Sequence, residues 1–530
     1  MLLSSELTKP YKSDNPASKL QPNVSFIDHV YDDQSASRCF ELSDEVRPEK
    51  VRQEGNGLSV IRRVIETLSS VPVEENDWCS RFSNQLYDAL DCLGYSLDMI
   101  DVRRKAYRFL NEQSKLLKVV GSKADGLTAE YESDKDCLMI SNEIIAREAG
   151  TDIKPPFIPV CDMVTEFTEP GHVMLALHKK AFFCDNPYAD ESLYILIAGT
   201  KYLSSGLCKQ RSFKIMIEAS HDYNEVEVGI AGPSINVGTK FHSCDSVVAI
   251  RGICPNVLKS WAERDRVNDW PSRDVKEEIL QTEVQLVPTG INGSLYEHCE
   301  WRLCFIPAEQ ILTSNLNETL IKAYVVLKMI AKHILKSVCV GVSSFMLKNI
   351  IYWVAEMFPQ GIFTKSFLYN TVSIGLQILL KCVHEEDSLP YYMIPDRNLL
   401  SGKVLSGDRQ RLSTVLQNLI LFKQQFVHKI PKLHYTLIGL VTFMPDPQRN
   451  QRDILNTLLL AKKASMTYFE NLGLSKEETQ KQMDKDELYQ LIVYHLANIV
   501  IPEWTSFKDI SKSMEVFSER FSQRMYNIDV

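Results

Sequence analysis

A Gly-Ser pair, Gly121 and Ser122, stands ahead of an Asp-Lys-Asp triplet, with twelve residues from Ser122 to Asp134. On a β-strand successive side chains alternate faces, so Asp134 and Asp136 would point one way and Lys135 and Cys137 the other. Two carboxylates side by side resist joint ionisation unless a cation lies between them, and a divalent metal held by oxygen ligands is the simplest remedy. Gly121 permits close backbone approach, and Ser122 with its neighbouring N–H groups can hold phosphate oxygens. The chemistry that suits this combination is a nucleoside triphosphate bound through metal ions. A charged strand edge beside a solvated turn has the same sequence, so spacing alone leaves both readings open.

A third acid bears on that choice. Asp245 heads the apolar run SVVAI, and a lone acid at a strand start is ordinarily exposed. If that strand lies beside Asp134 and Asp136, three carboxylates converge, the usual supply for a two-metal site running an in-line displacement. The sequence allows this adjacency without showing it.

The elements that must position these groups follow from the apolar pattern. Residues 1–55 are polar, hold Pro10, Pro16 and Pro22 and show no sustained apolar period, which predicts a flexible N-terminal tail. From Leu58 the pattern changes. Val60, Ile61, Val64, Ile65 and Leu68 recur at helical spacing, and a run from Trp78 to about Leu116 predicts a longer helix. It carries Arg103, Arg104, Lys105, Arg108, Lys115 and, just beyond, Lys118; such a stripe is either a solvated face or a binding surface for a polyanion. After the Gly-Ser turn, Asp134–Ile140, His172–Leu177, Leu193–Ala198, Phe213–Ala219, Glu225–Ile230 and Asp245–Arg251 are short, apolar or β-branched, and separated by Pro and Gly, which predicts a sheet of about six strands. A Trp- and Arg-rich connection, CPNVLKSWAERDRVNDWP from Cys254, leads to a further strand around Cys299–Phe305. From Ala308 the pattern turns helical: Asn317–Leu335, Ser343–Met357, Ser366–Val383 and Arg409–Lys429 each keep an apolar stripe. Arg449–Val530 reads as further helices with a break at Pro502.

The whole chain sets the bounds. Its 530 residues exceed one ordinary core, and a formal charge of -9 argues against a protein that coats nucleic acid over its whole surface. The 13 cysteines are odd in number and include no C-x-x-C pair, which suits free thiols in a reducing compartment. His298, Cys299 and Cys304 diverge on a strand and lack a fourth partner nearby in sequence, so they make a poor zinc site. No signal-peptide pattern stands at the N-terminus, and apolar runs such as Ile321–Leu347 are broken by lysines, so no membrane span and a cytoplasmic location are expected.

The order of these features carries a resemblance. The Gly-Ser pair, the step to D-x-D, a third Asp before an apolar strand, the connection ending in WP, then E-W-R-L-C-F and S-S-F with a helix containing Y-W, resembles the cyclic GMP-AMP synthase and male-abnormal-twenty-one-like family of nucleotidyltransferases over roughly Ala106 to Ile420. The resemblance implies an α+β, bilobed nucleotidyltransferase fold: a mixed-sheet catalytic lobe with a long spine helix, and a helical C-terminal lobe closing over the nucleotide. The corresponding divisions are an N-terminal tail 1–55, a nucleotidyltransferase core 56–290, a helical lobe 291–430 and a helical extension 431–530.

Carried over by position, Gly121 and Ser122 match the family's phosphate-holding pair, and Asp134, Asp136 and Asp245 match its catalytic, metal-binding acids for two Mg²⁺ or Mn²⁺ ions. Lys328 matches a phosphate-contacting lysine. Ser343, Ser344 and Phe345 match a nucleotide-contacting Ser-Ser-Tyr, with Phe a departure that keeps stacking and loses the hydroxyl. Arg302 matches a residue that reaches a nucleobase or its phosphates, and equally reads as a buried arginine paired with Glu300 or another acid. The implied activity is synthesis of a cyclic dinucleotide from ATP and GTP in innate immune sensing, switched on by a nucleic-acid ligand such as double-stranded RNA or by another polyanion. Arg103, Arg104, Arg108, Lys209, Arg211 and Lys214 are the expected ligand-binding surface. The family's vertebrate DNA sensor carries a zinc loop where this chain has TSNLNET, Thr313–Thr319, so no structural zinc is expected. The alternative is a catalytically silent scaffold of the same family.

Overall fold

The computed structural model describes residues 56–69, 77–114, 117–129, 132, 135–151, 158–180, 186–220, 227–238, 243–442 and 448–500. The expected N-terminal tail and the break at Pro502 lie outside them. The chain is a mixed α/β protein. Helices α1 (Asn56–Ser69), α2 (Asp77–Leu90) and α3 (Leu97–Gln113) come first, followed by strand β1 (Leu117–Val119) and a single helical turn, α4 (Gly121–Ala124). The single long helix expected between Trp78 and Leu116 is in fact two. A wider turn, Asp91–Tyr95, separates α2 from α3 because Gly94 takes a left-handed φ of 80°, a conformation open to glycine and costly for other residues.

The sheet is built from β1, β2 (Lys135–Glu148), β3 (Val160–Val164), β4 (His172–Lys179), β5 (Tyr194–Ile197), β6 (Thr200–Leu203), β7 (Glu227–Ala231), β8 (Ser234–Gly238), β9 (Ser243–Ile253), β10 (Val284–Val287) and β11 (Glu300–Cys304). Its order is β1-β2-β3-β4-β11-β10-β9-β8-β7, and β9 also pairs in parallel with β2. That last ladder closes a ring of strands, β2-β3-β4-β11-β10-β9, so the two longest strands lie side by side along most of their length. A register shift between Ser141 and Ile145 bends β2, letting its first half pair with β1 and its second half with β3.

The segment Phe213–Ala219, expected as a strand, belongs instead to helix α5 (Ser205–Ser220). Its start is fixed by Ser204, whose hydroxyl accepts from Leu207 N at 3.2 Å, so capping overrides the β-branched residues that suggest a strand. After α6 (Pro255–Glu263) and α7 (Arg273–Leu280), the expected helical region is present as α8 (Ile306–Ser314), α9 (Glu318–His333), α10 (Ser344–Met357), α11 (Leu368–Lys381) and α12 (Ser406–Leu421). α13 (Pro431–Thr442), α14 (Gln448–Glu470), α15 (Lys476–Met483) and α16 (Glu487–Val500) follow. The stretch Thr313–Thr319 is the tight junction of α8 and α9, where Asn317 caps α9 by accepting from Thr319 N at 2.7 Å. One hydrophobic cluster runs from Ile61 to Leu433 through both sheet and helices. Lys365–Glu386 is long and apolar enough to cross a membrane by length and composition, and 72% of its apolar window is buried inside the protein.

Candidate functional site

The β2–β9 ladder sets Asp136 directly opposite Asp245. Alternation holds at this point: Asp136 is exposed while Cys137, one residue on, is buried and meets Cys244 Sγ at 3.2 Å. Asp245 Oδ1 accepts from Asn236 Nδ2 at 2.7 Å, across the β8–β9 pairing, which fixes the orientation of that carboxylate. The antiparallel β1–β2 pair delivers the Gly-Ser turn to the same place, since Val119 pairs with Cys137 and Val120 N donates to Asp136 O at 2.9 Å. Gly121 has φ 66°, and a Cβ built on it would lie 2.5 Å from Asp136 Oδ2. Glycine is therefore required twice, for its backbone angle and for the space the carboxylate fills.

Asp134 lies outside the described residues. Among the described residues no three His, Cys, Asp or Glu side chains gather as a metal-binding group. The pair Asp136 and Asp245 does fit a divalent cation by donor chemistry: two hard oxygen donors in register, one against a glycine cradle and one oriented by an amide.

A cavity of about 410 Å³ opens beside the pair, and its lining includes Gly121, Ser122, Asp136, Asp245, Arg302, Ser344 and Phe345. With Ser343, which also lines it, eight of the expected site residues thus share one space. Lys328, from α9, donates to Ser122 Oγ at 3.0 Å and Thr128 Oγ1 at 3.2 Å, so it holds the turn from behind. Burial pulls its ammonium down to about 8 from the ordinary 10.5, with Glu132 partly offsetting that and Lys432 and Lys348 adding to it. Of the Ser-Ser pair, Ser343 caps α10 by accepting from Met346 N at 3.4 Å, and the Ser344 carbonyl accepts from Tyr324 OH at 3.4 Å. Phe345 packs on Tyr391 with ring centroids 5.5 Å apart.

Sequence reasoning passed over several neighbours. Lys348 donates to Asp125 Oδ2 at 2.7 Å in a buried pair that ties α10 to the turn after Ser122. Its signal was present, for Lys348 stands four residues after Ser344 and so on the same helix face. Tyr391, Arg397 and Lys403 reach the cavity from the loop between α11 and α12, and no local pattern marks them. Tyr391 OH donates to Glu309 Oε1 at 2.6 Å; burial raises that carboxyl's pKa, an effect that Lys348 and the Tyr391 bond partly offset.

The expected ligand-binding surface needs correction. Arg103 is 2% exposed and donates to Gly126 O at 2.7 Å and Gly94 O at 2.6 Å, so it binds two backbone turns inside the protein. Arg104 is turned inward as well, donating to Asp125 O at 3.0 Å and Thr313 O at 3.2 Å. Arg211 donates to Pro187 O at 2.7 Å. Arg108 on α3 and Lys214 on α5 are exposed, while Lys209 on α5 is half-buried and donates to Gly232 O at 3.3 Å.

No family model matches the chain, and no curated protein matches it.

The C-terminal helices also reach the segment between Ser122 and β2. Ala129 is buried among Leu455, Leu459, Ile492, Leu496 and Val500 from α14 and α16, and Leu460 packs with Tyr107 and Leu110 on α3. Lys432, from α13, forms an ion pair with Glu132, which also accepts from Tyr95 OH at 2.6 Å and Ala129 N at 3.1 Å. Burial alone would raise the Glu132 pKa; Lys432 and these bonds overcome it and hold the carboxyl at about 2. Lys432→Met is therefore expected to destabilise the protein at pH 7 by about 3–5 kcal/mol, the usual cost of leaving one buried charge unpaired. Because the Glu132 pKa is depressed, its stabilisation is complete above the unfolded value near 4.5 and is lost as pH falls toward 2. Urea denaturation of both proteins should show the gap at pH 7 narrowing steadily below pH 4.5. A gap that does not depend on pH would show that Lys432 acts through packing alone.

Proposed function

We propose that this chain is a metal-dependent nucleotidyltransferase of the cyclic GMP-AMP synthase-like kind, with a mixed-sheet catalytic lobe and a helical lobe closing the nucleotide cleft. The observation that carries the reading is the direct opposition of Asp136 and Asp245 on parallel strands, with Gly121 packed against one of them at the mouth of a nucleotide-sized cavity. A silent scaffold gives no reason for two carboxylates to stand in register beside that glycine.

Asp136 and Asp245, with Asp134, would hold two Mg²⁺ or Mn²⁺ ions, which when bound neutralise the triphosphate and acidify an attacking hydroxyl. The Ser122 hydroxyl and the N–H groups of its turn bind phosphate oxygens, and Lys328 adds positive charge behind them. Phe345 offers its face to a base, a contact worth about 1–3 kcal/mol. An acceptor ribose hydroxyl attacks the α-phosphorus, the bond from that phosphorus to the β-bridging oxygen breaks, and pyrophosphate leaves. Asp245, with Oδ1 engaged by Asn236, offers Oδ2 to the hydroxyl proton. A second transfer on the linear product closes a cyclic dinucleotide. The activating ligand in this reading is a nucleic acid, such as double-stranded RNA, or another polyanion, drawn to the exposed Arg108 and Lys214 and to half-buried Lys209.

The test is incubation of the full chain with all four nucleoside triphosphates and Mg²⁺ or Mn²⁺, with and without double-stranded RNA or DNA, followed by product chromatography. A cyclic dinucleotide supports the reading, and a linear oligonucleotide keeps the transfer and removes the cyclisation. No product under any condition returns the chain to the scaffold class.

A further inference from the structure

The face of the sheet turned away from the carboxylates carries chemistry that nucleotidyl transfer does not use. Cys137 follows Asp136 on β2 and Cys244 precedes Asp245 on β9, so alternation puts both thiols on the side opposite the acids. Their sulfurs are 3.2 Å apart, and Ser246 Oγ lies 3.6 Å from Cys244 Sγ. Cys137 is 1% exposed, whereas Cys244 is only half-buried, so a small solute reaches the pair through Cys244. Cys254 offers a contrast: its sulfur lies 3.3 Å from the thioether of Met163, which cannot close a disulfide.

The register gives this pair its consequence. In the β2–β9 ladder Cys137 stands opposite Ser246 and Cys244 opposite Lys135, so the two cysteines are diagonal neighbours, two residues out of step. Paired strands about 4.8 Å apart, with about 6.6 Å of rise over two residues, set diagonal Cα atoms roughly 8 Å apart. A disulfide holds its sulfurs at about 2.05 Å and its Cα atoms at about 4.4–6.8 Å. Closing the bond therefore requires β9 to advance along β2, carrying Cys244 toward Cys137 and Asp245 past Asp136. β8 travels with β9, because Val237 pairs with Cys244 and Asn236 with Asp245. β2 is held from its other side, by Val119 opposite Cys137 and by Gly121 against the Asp136 carboxylate. The irregularity between Ser141 and Ile145 confines the shift to the first half of the ladder.

We propose that Cys137 and Cys244 are an oxidisable dithiol whose disulfide draws Asp245 out of register with Asp136 and so weakens cation binding there. The effect on the cation rests on the metal-dependent reading; the disulfide does not. The oxidant is a peroxide. The Cys244 sulfur attacks one oxygen of hydrogen peroxide, the O–O bond breaks, and a water and a sulfenic acid result. The Cys137 sulfur then attacks the sulfenic sulfur, the S–O bond breaks, and the hydroxyl leaves with the Cys137 proton as a second water while the S–S bond forms. Two thiols lose two electrons and two protons, and the peroxide is reduced to two waters. Disulfides in a reducing compartment are characteristically transient and redox-sensing, and a thiol reductant reverses this one.

The experiment treats the reduced full chain with hydrogen peroxide, alkylates the remaining thiols and digests the protein without reductant. Mass spectrometry is expected to find a peptide joining Cys137 to Cys244 that dithiothreitol removes. Calorimetric titration with Mn²⁺ is expected to show affinity about tenfold or more weaker after oxidation and restored by dithiothreitol, the size of effect usual when groups that orient metal ligands are disturbed. Peroxide should leave the Mn²⁺ affinity of Cys137→Ser and of Cys244→Ser where it stood in the same variant before treatment. Cys304→Ser should respond as the wild type does, which separates the pair from the half-buried thiol that lines the cavity. The mapping needs no variant, so it stays decisive if a substitution at buried Cys137 misfolds. Cys244 oxidised to a sulfinic acid without a link, or Cys137 linked to another cysteine, would overturn the dithiol. A linked peptide with unchanged Mn²⁺ affinity would overturn the displacement of the carboxylates. A reduced protein that binds no Mn²⁺ while the linked peptide still forms removes the metal reading and keeps the disulfide site.

Discussion

Asp136→Asn is expected to cut product formation on the order of a thousandfold while making the metal-free protein slightly more stable. The two effects have one cause. Asp136 and Asp245 are register partners on parallel strands, and two carboxylates held side by side without a cation disfavour each other, which neutralising one relieves. Asn preserves the shape of the side chain beside Gly121, so packing offers no competing explanation. The same change removes an anionic oxygen ligand, and metal assistance is worth several kcal/mol of transition-state charge stabilisation, each 1.4 kcal/mol or so being a factor of ten in rate. Asp245→Asn should behave alike, because its remaining carbonyl oxygen can still accept from Asn236. The measurement is thermal denaturation with and without Mn²⁺ beside the product assay. Mn²⁺ should raise the melting temperature of the wild type, since a hundredfold excess over Kd adds about 2.7 kcal/mol of stability, and leave both variants unmoved. A variant that melts lower without metal, or that still responds to Mn²⁺, would show that the carboxylates serve the fold and not an ion.

Parts of this site were open to view in the sequence because they depend on local rules. Alternation along a strand turns Asp136 away from Cys137, and a glycine beside a strand end signals a close approach. The opposition of Asp136 and Asp245 was not readable, since the register of two strands far apart in sequence is set by the whole ring of ladders around them. The inward turn of Arg103 was half legible: Met99, Ile100, Arg103, Tyr107 and Leu110 form one buried stripe at helical spacing, so the arginine stands on the core side of α3. Reading charge before periodicity placed it on the surface. The helix at Ser205–Ser220 was missed because Ile215 and Ile217 favour strand while the deciding group, the Ser204 cap, lies outside the apolar run. Arg397 and Lys403 had no local signal, because a loop residue acquires its role only where the fold delivers it.

Lys328→Met is expected to abolish turnover while leaving the fold as stable as before or more so at neutral pH. The folded pKa near 8 lies below the ordinary 10.5, which means the protein holds this ammonium against the cost of desolvation. The shift corresponds to roughly 3 kcal/mol of net unfavourable interaction with the charged form, after the favourable pull of Glu132 has been counted. The sign follows from linkage. Below pH 8 both folded and unfolded chains carry the proton and the penalty is complete; between 8 and 10.5 the unfolded chain binds more protons, so the penalty is relieved as pH rises. Methionine fills a similar volume without charge and should therefore gain most at pH 7, with the advantage fading toward pH 10.5. For catalysis the dependence runs the other way. Only the charged amine can oppose triphosphate oxygens, so kcat/KM, which reports the free enzyme, is expected to fall about tenfold per unit above a pKa near 8. Chemical denaturation and a pH–rate profile on the same samples separate the two roles. An active Lys328→Met, or one that loses several kcal/mol at pH 7, would make this lysine a strut of the Ser122 turn; a stable and inactive one would be the signature of a charge that the fold bears for a phosphate ligand.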